Sequence, residues 1–148
     1  MLIKGQGGPA DPRRAVALLS DRRYSDVPGI RGARGELSIA GKLVPRDLKN
    51  GANLLSLFAP WDYDARMRLL KLLADNADLT IAYPGSTLYD ATEAAELGEP
   101  GAVAALIDLK LSQNRQFRDK EGGCALIARA AKDGDPASAR WRAECGAN

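Results

Sequence analysis

The chain has 148 residues, of which 45% are hydrophobic and 27% charged, and its formal net charge is +2. This length suits one domain with a substantial core, and the near-neutral charge gives no field that would favour nucleic acid or an anionic membrane surface. The chain contains no histidine, which excludes the usual general base and the commonest metal ligand, and we predict neither a metal nor a cofactor.

A segment near the amino terminus recurs 36 residues later. The stretches "GQGGPADPRRAVALL" at 5–19 and "GKLVPRDLKNGANLL" at 41–55 share a glycine, a proline, an aspartate and paired leucines at the same offsets. A second block, "AAELGEPGAV" at 94–103, matches "AAKDGDPASA" at 130–139 with the same spacing. One period across unrelated residue types indicates a repeat array.

Each repeat is predicted to hold two helices. Proline is tolerated in the first helical turn and aspartate can cap it. On this basis the first helices are expected to begin at Pro28, Asp64, Pro100 and Pro136. The second helices are expected to open at Asp11, Asp47 and Asp119, and to end at a glycine cap, Gly98 or Gly134.

Helix pairs of this length cannot bury their apolar faces alone, so they are expected to stack on one another. The sequence therefore predicts an all-α fold, an α/α superhelical solenoid of about four antiparallel helix-pair repeats with a 36-residue period. It forms a single helical-repeat domain over 1–148. The predicted units are 1–27 (partial), 28–63, 64–99, 100–135 and a terminal helix at 136–148. Because the chain opens in the middle of a unit, we expect it to belong to a longer natural chain; the alternative is a short natural protein whose unpaired end docks on itself or on a partner.

The spacing and the residues that carry it resemble the Sel-one-like repeats, which are relatives of the tetratricopeptide repeats. The family pattern is small-x-x-x-Leu-Gly, Gly-x-Gly-Val-x-x-Asp, Lys-Ala and Ala-Ala-x-x-Gly, and "GARGELSIAGKLVPRDLKNGANLLSLFA" and "DKEGGCALIARAAKDGDPASA" follow that order. The resemblance covers nearly the whole chain, with the largest departure at residues 74–93. It implies a bacterial adaptor in envelope assembly, exopolysaccharide export or its regulation, signalling or host contact.

The two cysteines, Cys124 and Cys145, fall at predicted core positions. One interpretation is a pair of buried small hydrophobic side chains. The other starts from the turn near Asp135, which has Cys124 eleven residues before it and Cys145 ten after. Residues equidistant from a hairpin turn face each other, so a disulfide that fastens the last helix is geometrically reasonable. Such a bond favours an oxidising compartment such as the periplasm, with the cytoplasm as the alternative.

The stretch "APWDYDA" places Trp61 and Tyr63 beside Asp62 and Asp64. Aromatic side chains next to carboxylates are typical of sugar-binding and glycosidic sites. This leaves a glycan-acting or glycan-binding α/α protein as the alternative function, with Tyr89 as a further candidate residue. The simpler interpretation is a helix–helix junction, in which Asp64 caps a helix and Trp61 covers the seam.

The preferred prediction is a non-catalytic protein–protein interaction scaffold whose stacked helices present a concave groove to another protein. Exposed residues of the first helices are expected to bind that partner, with "YPGSTLYD" at 83–90 as an unusual loop on the rim. A drifted repeat with an ordinary turn is the other interpretation of that segment. The partner-binding candidates are Arg31, Arg34, Arg66, Arg68, Lys110, Tyr83 and Tyr89.

Two kinds of partner are not expected. A nucleic-acid binder would need one continuous arginine stripe and steep salt dependence, and the arginines of the first third have no interleaved aromatic residues for base stacking. No run approaches the roughly 18 apolar residues that a membrane span requires.

Overall fold

The structure is a computed structural model that describes residues 11–132 and 141–146. All regular secondary structure in this part of the chain is helical, which confirms the all-α prediction. The α-helices are α1 (Pro12–Ser20), α2 (Pro28–Ala40), α3 (Leu48–Ser56), α4 (Tyr63–Ala74), α5 (Pro84–Glu96), α6 (Ala102–Leu111) and α7 (Lys120–Lys132). The 3-10 helices are Arg22–Tyr24, Ala59–Trp61 and Arg142–Cys145.

The residue contacts divide the chain into two compact units, Met1–Ala65 and Arg66–Asn148. In the first unit, α2 packs on α3 and α1 contacts α2. In the second unit, α6 packs on both α5 and α7, and the 3-10 helix Arg142–Cys145 contacts α7. The boundary falls within the first turn of α4.

Aspartates open three of the helices. The side chains of Asp11, Asp47 and Asp119 each accept a hydrogen bond of 2.9 Å from the backbone N–H three residues ahead. An oxygen at this position satisfies one of the N–H groups that the first helical turn leaves unpaired. These three predicted helix starts are therefore confirmed.

The start of α4 differs from the prediction. The helix begins at Tyr63, and Asp62 is its cap, since Asp62 Oδ1 accepts a hydrogen bond of 2.8 Å from the backbone N–H of Ala65. The predicted cap, Asp64, is instead an exposed residue of the first turn. Trp61 does not cover a seam, because 72% of it is exposed. The helix-junction interpretation of this segment is therefore wrong in both respects.

Pro28 is the first residue of α2, as predicted. The start of α6, in contrast, differs from the predicted start at Pro100. The first residue of α6 is Ala102, so Pro100 lies in the preceding turn. The residue between them, Gly101, has a φ of +73°, a left-handed conformation that glycine adopts without steric cost. This glycine turn delays the helix by two residues relative to the predicted proline start.

The predicted loop at 83–90 is wrong. All of its residues except Tyr83 belong to α5, whose first residue is Pro84. Proline at this position costs no hydrogen bond and has a φ suited to the helix, so the segment is an ordinary helix start. The helix ends before Gly98, which has a φ of +73° and matches the predicted glycine cap.

The second helices of the predicted repeats begin at equal intervals. Their first residues are separated by 36 positions each time. These residues are Pro12, Leu48, Pro84 and Lys120. The predicted start Pro136 and the predicted cap Gly134 lie outside the described residues, and the described end of the predicted terminal helix is the 3-10 helix Arg142–Cys145.

The α2–α3 hairpin and the α6–α7 hairpin each have a backbone hydrogen bond that closes the loop between their two helices. In the first hairpin the N–H of Asp47 donates to the carbonyl of Ser38 at 2.9 Å. In the second, the N–H of Asp119 donates to the carbonyl of Lys110 at 2.8 Å. The two donor residues are 72 positions apart in the sequence, and so are the two acceptor residues. The two hairpins therefore close in the same way.

A glycine in the second helix of each hairpin permits close packing. A Cβ atom built on Gly51 would lie 2.6 Å from the Ile39 side chain, and one on Gly123 would lie 2.6 Å from the Leu111 side chain. No real Cβ atom fits at such a distance. The same position on Gly51 lies 2.9 Å from the backbone carbonyl oxygen of Gly35, so the α2–α3 pair depends on the missing side chain for its close approach.

The core of the second unit is built mainly from leucines of α4 and α6. Leu73 and Leu109, which are 36 positions apart, are both 0% exposed, whereas Leu37, a further 36 positions earlier and in the first unit, is half-buried. The largest fully buried apolar side chains of the second unit are Leu69, Leu70, Leu73, Leu106, Ile107 and Leu109.

A buried asparagine joins the loop after α4 to the loop after α6. Asn114 is 0% exposed, and its amide nitrogen donates to three backbone carbonyls at 2.8 to 3.0 Å, those of Leu73, Asn76 and Leu79. Two residues further on, the side chain of Gln116 bonds both the N–H and the carbonyl of Ile81. The two loops thereby fix the spacing of α4 and α6.

Candidate functional site

A groove of about 910 Å³ lies between α4 and α6 in the second unit. We call it the α4–α6 groove. On α4 its lining residues recur at helical spacing, as in Met67, Leu70, Lys71 and Ala74. Its opposite wall consists of Ala104, Ala105 and Asp108 on α6, with Gly101 in the turn before that helix.

The floor of the groove is apolar and made largely of small residues. Ala74, Ala104 and Ala105 lie along it, together with the longer side chains of Met67 and Leu70. Small side chains leave room for the backbone of another chain to come close, while the longer ones offer apolar surface to bury. The floor suits a peptide segment with apolar side chains.

Charged groups line the edges. On the α4 side they are Arg68, Lys71 and Asp75, and Lys71 Nζ pairs with Asp75 Oδ2 at 2.9 Å, whereas Asp108 and Glu144 are on the other side. The groove is therefore amphipathic, with an apolar floor, charged groups of both signs on the α4 side and carboxylates on the opposite side. Polar groups of this kind fix the orientation of a bound segment, whereas the apolar floor supplies most of the affinity.

The carboxy-terminal segment supplies a third wall. Trp141 lines the groove, and its indole N–H donates to Asp108 Oδ1 at 2.5 Å. Four residues later, Cys145 lies opposite Cys124 of α7 with their sulfur atoms at disulfide distance and their Cα atoms 5.5 Å apart. The predicted cysteine pairing is therefore confirmed. Trp141 itself was not predicted to be at a site.

Three of the predicted partner-binding arginines have separate environments. Arg68 lines the α4–α6 groove. Arg34 lines a smaller cavity of about 280 Å³ in the first unit, between α1, α2 and the loop before α3. Arg31 donates to the carboxylate of Asp26 and to the backbone carbonyl of Ser25, which ties it to the turn before α2.

Two other candidates are held in ion pairs. The side chain of Arg66 is 10% exposed and contacts Glu99, and that of Lys110 is 15% exposed and contacts Asp119 at 2.6 Å. The expectation that both would be exposed is therefore wrong. The hydrogen bond from Lys110, with a second from the backbone N–H of Gly122, lowers the pKa of Asp119.

A further carboxyl group lies near the buried arginine. Burial raises the pKa of Asp90 on α5, the positive charge of Arg66 opposes this shift, and the negative charge of Glu93 adds to it. With Glu99 bound to the same arginine, this corner of the second unit is an ionic cluster. The sequence gives no direct signal of it, because Arg66 lies more than 20 positions before the three carboxylates.

The exposed aromatic residues lie elsewhere. Tyr83 and Tyr89, both predicted to bind a partner, are 61% and 65% exposed and do not line the α4–α6 groove. Trp61 and Tyr63 are 72% and 42% exposed in the first unit. Each pair offers aromatic surface to solvent within its own unit.

Within residues 11–132 and 141–146, no cluster of three or more histidine, cysteine, aspartate or glutamate residues is placed to hold a metal ion. Over the same ranges, no helix combines the length and the apolar character needed to cross a membrane.

The observed fold and groove define a helical-hairpin protein with an amphipathic groove that is lined on a third side by Trp141, four residues before Cys145. Comparison with protein-family models, with curated proteins and with solved structures gives no significant match.

Proposed function

We propose that the protein is a non-catalytic scaffold that holds a segment of a partner protein in the α4–α6 groove. The observation that carries the proposal is the amphipathic lining. An apolar floor with Ala104 and Ala105 lies between charged side chains of both signs on α4 and the carboxylate of Asp108 on α6. Peptide-binding grooves combine apolar burial with a small number of polar groups that fix the register in this way.

The proposal extends to a solenoid of Sel-one-like repeats. Three observations support it: the 36-residue sequence period, the equal spacing of the starts of α1, α3, α5 and α7, and the matching contacts of the two hairpins. In such a solenoid the first helices of successive repeats form the concave face. The α4–α6 groove consists of two such helices, which is the place where a scaffold of this class would bind.

We place this activity in the bacterial envelope. The pair Cys124–Cys145 at disulfide distance fits an oxidising compartment such as the periplasm. The resemblance to Sel-one-like adaptors adds envelope assembly and exopolysaccharide export, or its regulation, as the setting. The partner would then be a protein of that machinery.

Filling the groove tests the proposal. Ala105 lies on the floor of the groove, so Ala105→Trp should remove partners that wild-type protein captures from native extract. Ala131 on α7 is exposed and outside the groove, so Ala131→Trp is the matched control and should capture the same partners as wild type. Equal capture by all three proteins would contradict binding in the groove.

The exposure of Trp61 supports a second candidate function, binding of a glycan in the first unit. An indole face that is 72% exposed beside Tyr63 can stack on a sugar ring, and the carboxylate of Asp64 could accept sugar hydroxyls. Calorimetric titration with envelope oligosaccharides tests this. Binding that is lost in Trp61→Ala would favour the glycan function, and heat that is the same in Trp61→Ala would exclude this site.

A further inference from the structure

We infer that the cavity of about 280 Å³ in the first unit binds a free apolar α-amino acid, with Arg34 on the ligand's carboxylate and Asp47 on its ammonium group. We call this cavity the α1–α2 pocket. The inference is independent of the α4–α6 groove, which belongs to the second unit. It is carried by a comparison of the two hairpins, which close in the same way but differ at two charged positions.

In the α6–α7 hairpin, an ammonium group binds one oxygen of the helix-capping aspartate. Asp119 Oδ1 accepts a hydrogen bond of 2.9 Å from the backbone N–H of Gly122, and Asp119 Oδ2 accepts one of 2.6 Å from Lys110 Nζ. The lysine therefore satisfies the carboxylate oxygen that the helix cap leaves over. A hairpin closed in this way can hold a cationic nitrogen beside its capping carboxylate.

The α2–α3 hairpin has the same cap without the lysine. Asp47 Oδ1 accepts a hydrogen bond of 2.9 Å from the backbone N–H of Asn50. The residue 72 positions before Lys110 is Ser38, which carries no charge. Within the described residues, no lysine or arginine forms an ion pair with Asp47. The carboxylate of Asp47 is therefore available to the ammonium group of a ligand.

The cation that lines the α1–α2 pocket is a guanidinium group. Arg34 lies one helical turn before Ser38 on the same face of α2, and both line the pocket. Arg34 is half-buried, and its side chain forms no hydrogen bond or ion pair within residues 11–132 and 141–146. Partial burial of an unpaired charge is unfavourable, so an anion bound to Arg34 would be stabilised. The residue 72 positions later is the buried, uncharged Leu106.

Arg34 and Asp47 line one pocket without pairing with each other. A guanidinium group can bind a carboxylate through two parallel hydrogen bonds, and a carboxylate binds an ammonium group as a point charge. An α-amino acid carries both groups on one carbon atom, so it can bridge the two residues. The end of a protein chain cannot do this, because each end presents only one of the two charges.

The rest of the lining favours an aliphatic side chain. The apolar residues of the pocket are Val16, Leu19, Leu37, Val44 and Pro45, and burial of apolar surface against them is favourable. Ser38 Oγ accepts a hydrogen bond of 3.3 Å from Asn50 Nδ2, which leaves its own hydrogen to donate to the ligand's carboxylate. The volume is just below the roughly 300–1,000 Å³ typical of drug-sized ligands. It suits leucine, isoleucine or valine.

Isothermal titration calorimetry with L-leucine, L-isoleucine and L-valine tests the inference. We expect saturable binding of at least one of them, at one site per chain. The N-acetyl and the amide derivatives of the amino acid that binds best are then titrated. Each derivative has lost one charge and mimics one end of a protein chain, so each should bind at least about tenfold more weakly than the free amino acid.

Four variants test the assigned roles. Asp47→Asn keeps an oxygen that can cap α3 but removes the charge, and Arg34→Met removes the guanidinium group. Both should weaken binding at least about tenfold. Arg13→Met is the matched control, because Arg13 is exposed and outside the pocket, and it should bind like wild type. Ser38→Lys should abolish binding, because its ammonium group would take the place that Lys110 takes in the α6–α7 hairpin.

Circular dichroism checks that the helices remain in each variant. The inference would be overturned if none of the three amino acids showed saturable binding to wild-type protein. Binding of either derivative as tightly as the free amino acid would also overturn it, as would equal affinities of wild type and Asp47→Asn. These titrations use no partner protein, so they do not depend on the function proposed for the α4–α6 groove.

Discussion

Asn114 shows how a single residue organises the second unit. The last carbonyls of a helix have no partner within the helix, and the Asn114 amide reaches the carbonyl of Leu73 near the end of α4 as well as two carbonyls in the following loop. The side chain is fully buried, so water cannot replace it. Its removal would take a donor from all three carbonyls, although those of Leu73 and Asn76 also accept a backbone N–H.

Replacement of Asn114 should therefore be costly. Asn114→Ala is expected to lower the free energy of unfolding by about 3 kcal/mol, the upper part of the range for a buried hydrogen-bonding group whose partners stay behind. Urea denaturation followed by circular dichroism measures this. The neighbouring Arg115 is exposed, and Arg115→Ala should change stability by less than about 0.5 kcal/mol. Similar effects of both substitutions would contradict the role of Asn114.

The Lys110–Asp119 pair makes a pH-dependent contribution to stability. The pKa of Asp119 is lowered in the folded protein, chiefly by the hydrogen bond from Lys110, relative to an ordinary value of 3.8. A lowered carboxyl pKa stabilises the folded state above the ordinary value, and this contribution is lost as the pH falls through the folded-state pKa. Asp119→Asn keeps the helix cap but removes the charge.

We therefore expect the free energy of unfolding of wild-type protein to fall more steeply than that of Asp119→Asn as the pH decreases below 3.8. Thermal unfolding at a series of acidic pH values gives both curves. Lys110→Met should flatten the wild-type curve in the same way, because it removes the main cause of the shift. Parallel curves for wild type and Asp119→Asn would exclude this contribution.

The helical hairpins are the elements that the sequence specifies best. Aspartate caps and the glycine at the end of α5 could be predicted because a single residue type satisfies each local requirement. The starts of α4 and α6 could not be placed correctly, since Asp62 competes with Asp64 as a cap and Gly101 forms a turn after Pro100. At 83–90 the departure from the repeat pattern predicts a loop, but Pro84 is a good first helical residue and the segment is helical.

Because α2 and α3 pack closely, Gly51→Ala and Gly29→Ala should change the free energy of unfolding by very different amounts. Gly51→Ala would place a methyl group 2.6 Å from the Ile39 side chain and 2.9 Å from the carbonyl oxygen of Gly35. We expect this overpacking to lower the free energy of unfolding by about 1–3 kcal/mol. Gly29 on α2 has no atom within 4 Å of the corresponding position.

Gly29→Ala is therefore the matched control, and it should be neutral or stabilise the protein by up to about 1 kcal/mol through helix propensity. Chemical denaturation of the two variants provides the comparison. If Gly51→Ala were as stable as Gly29→Ala, the close approach of α2 and α3 would not be a requirement of the fold.

At the scale of the whole molecule, the sequence predicted the class of the fold better than the site. Arg66 and Arg68 were both expected to bind a partner, but residues two apart point to different sides of a helix. Only Arg68 lines the groove, whereas Arg66 pairs with Glu99 in the ionic cluster. The third wall could not be predicted, because the position of Trp141 beside Asp108 depends on tertiary packing and on the Cys124–Cys145 pairing.

The central claim, that a partner segment occupies the α4–α6 groove, can be tested most directly by site-specific photocrosslinking in native extract. A photoreactive amino acid is placed at Ala104 on the groove floor and, as a control, at Ala131 on the exposed side of α7. We predict one discrete crosslinked partner from position 104, which disappears when Ala105→Trp fills the groove and is absent from position 131. Crosslinking from 131 alone, or a product from 104 that persists in Ala105→Trp, would contradict the claim.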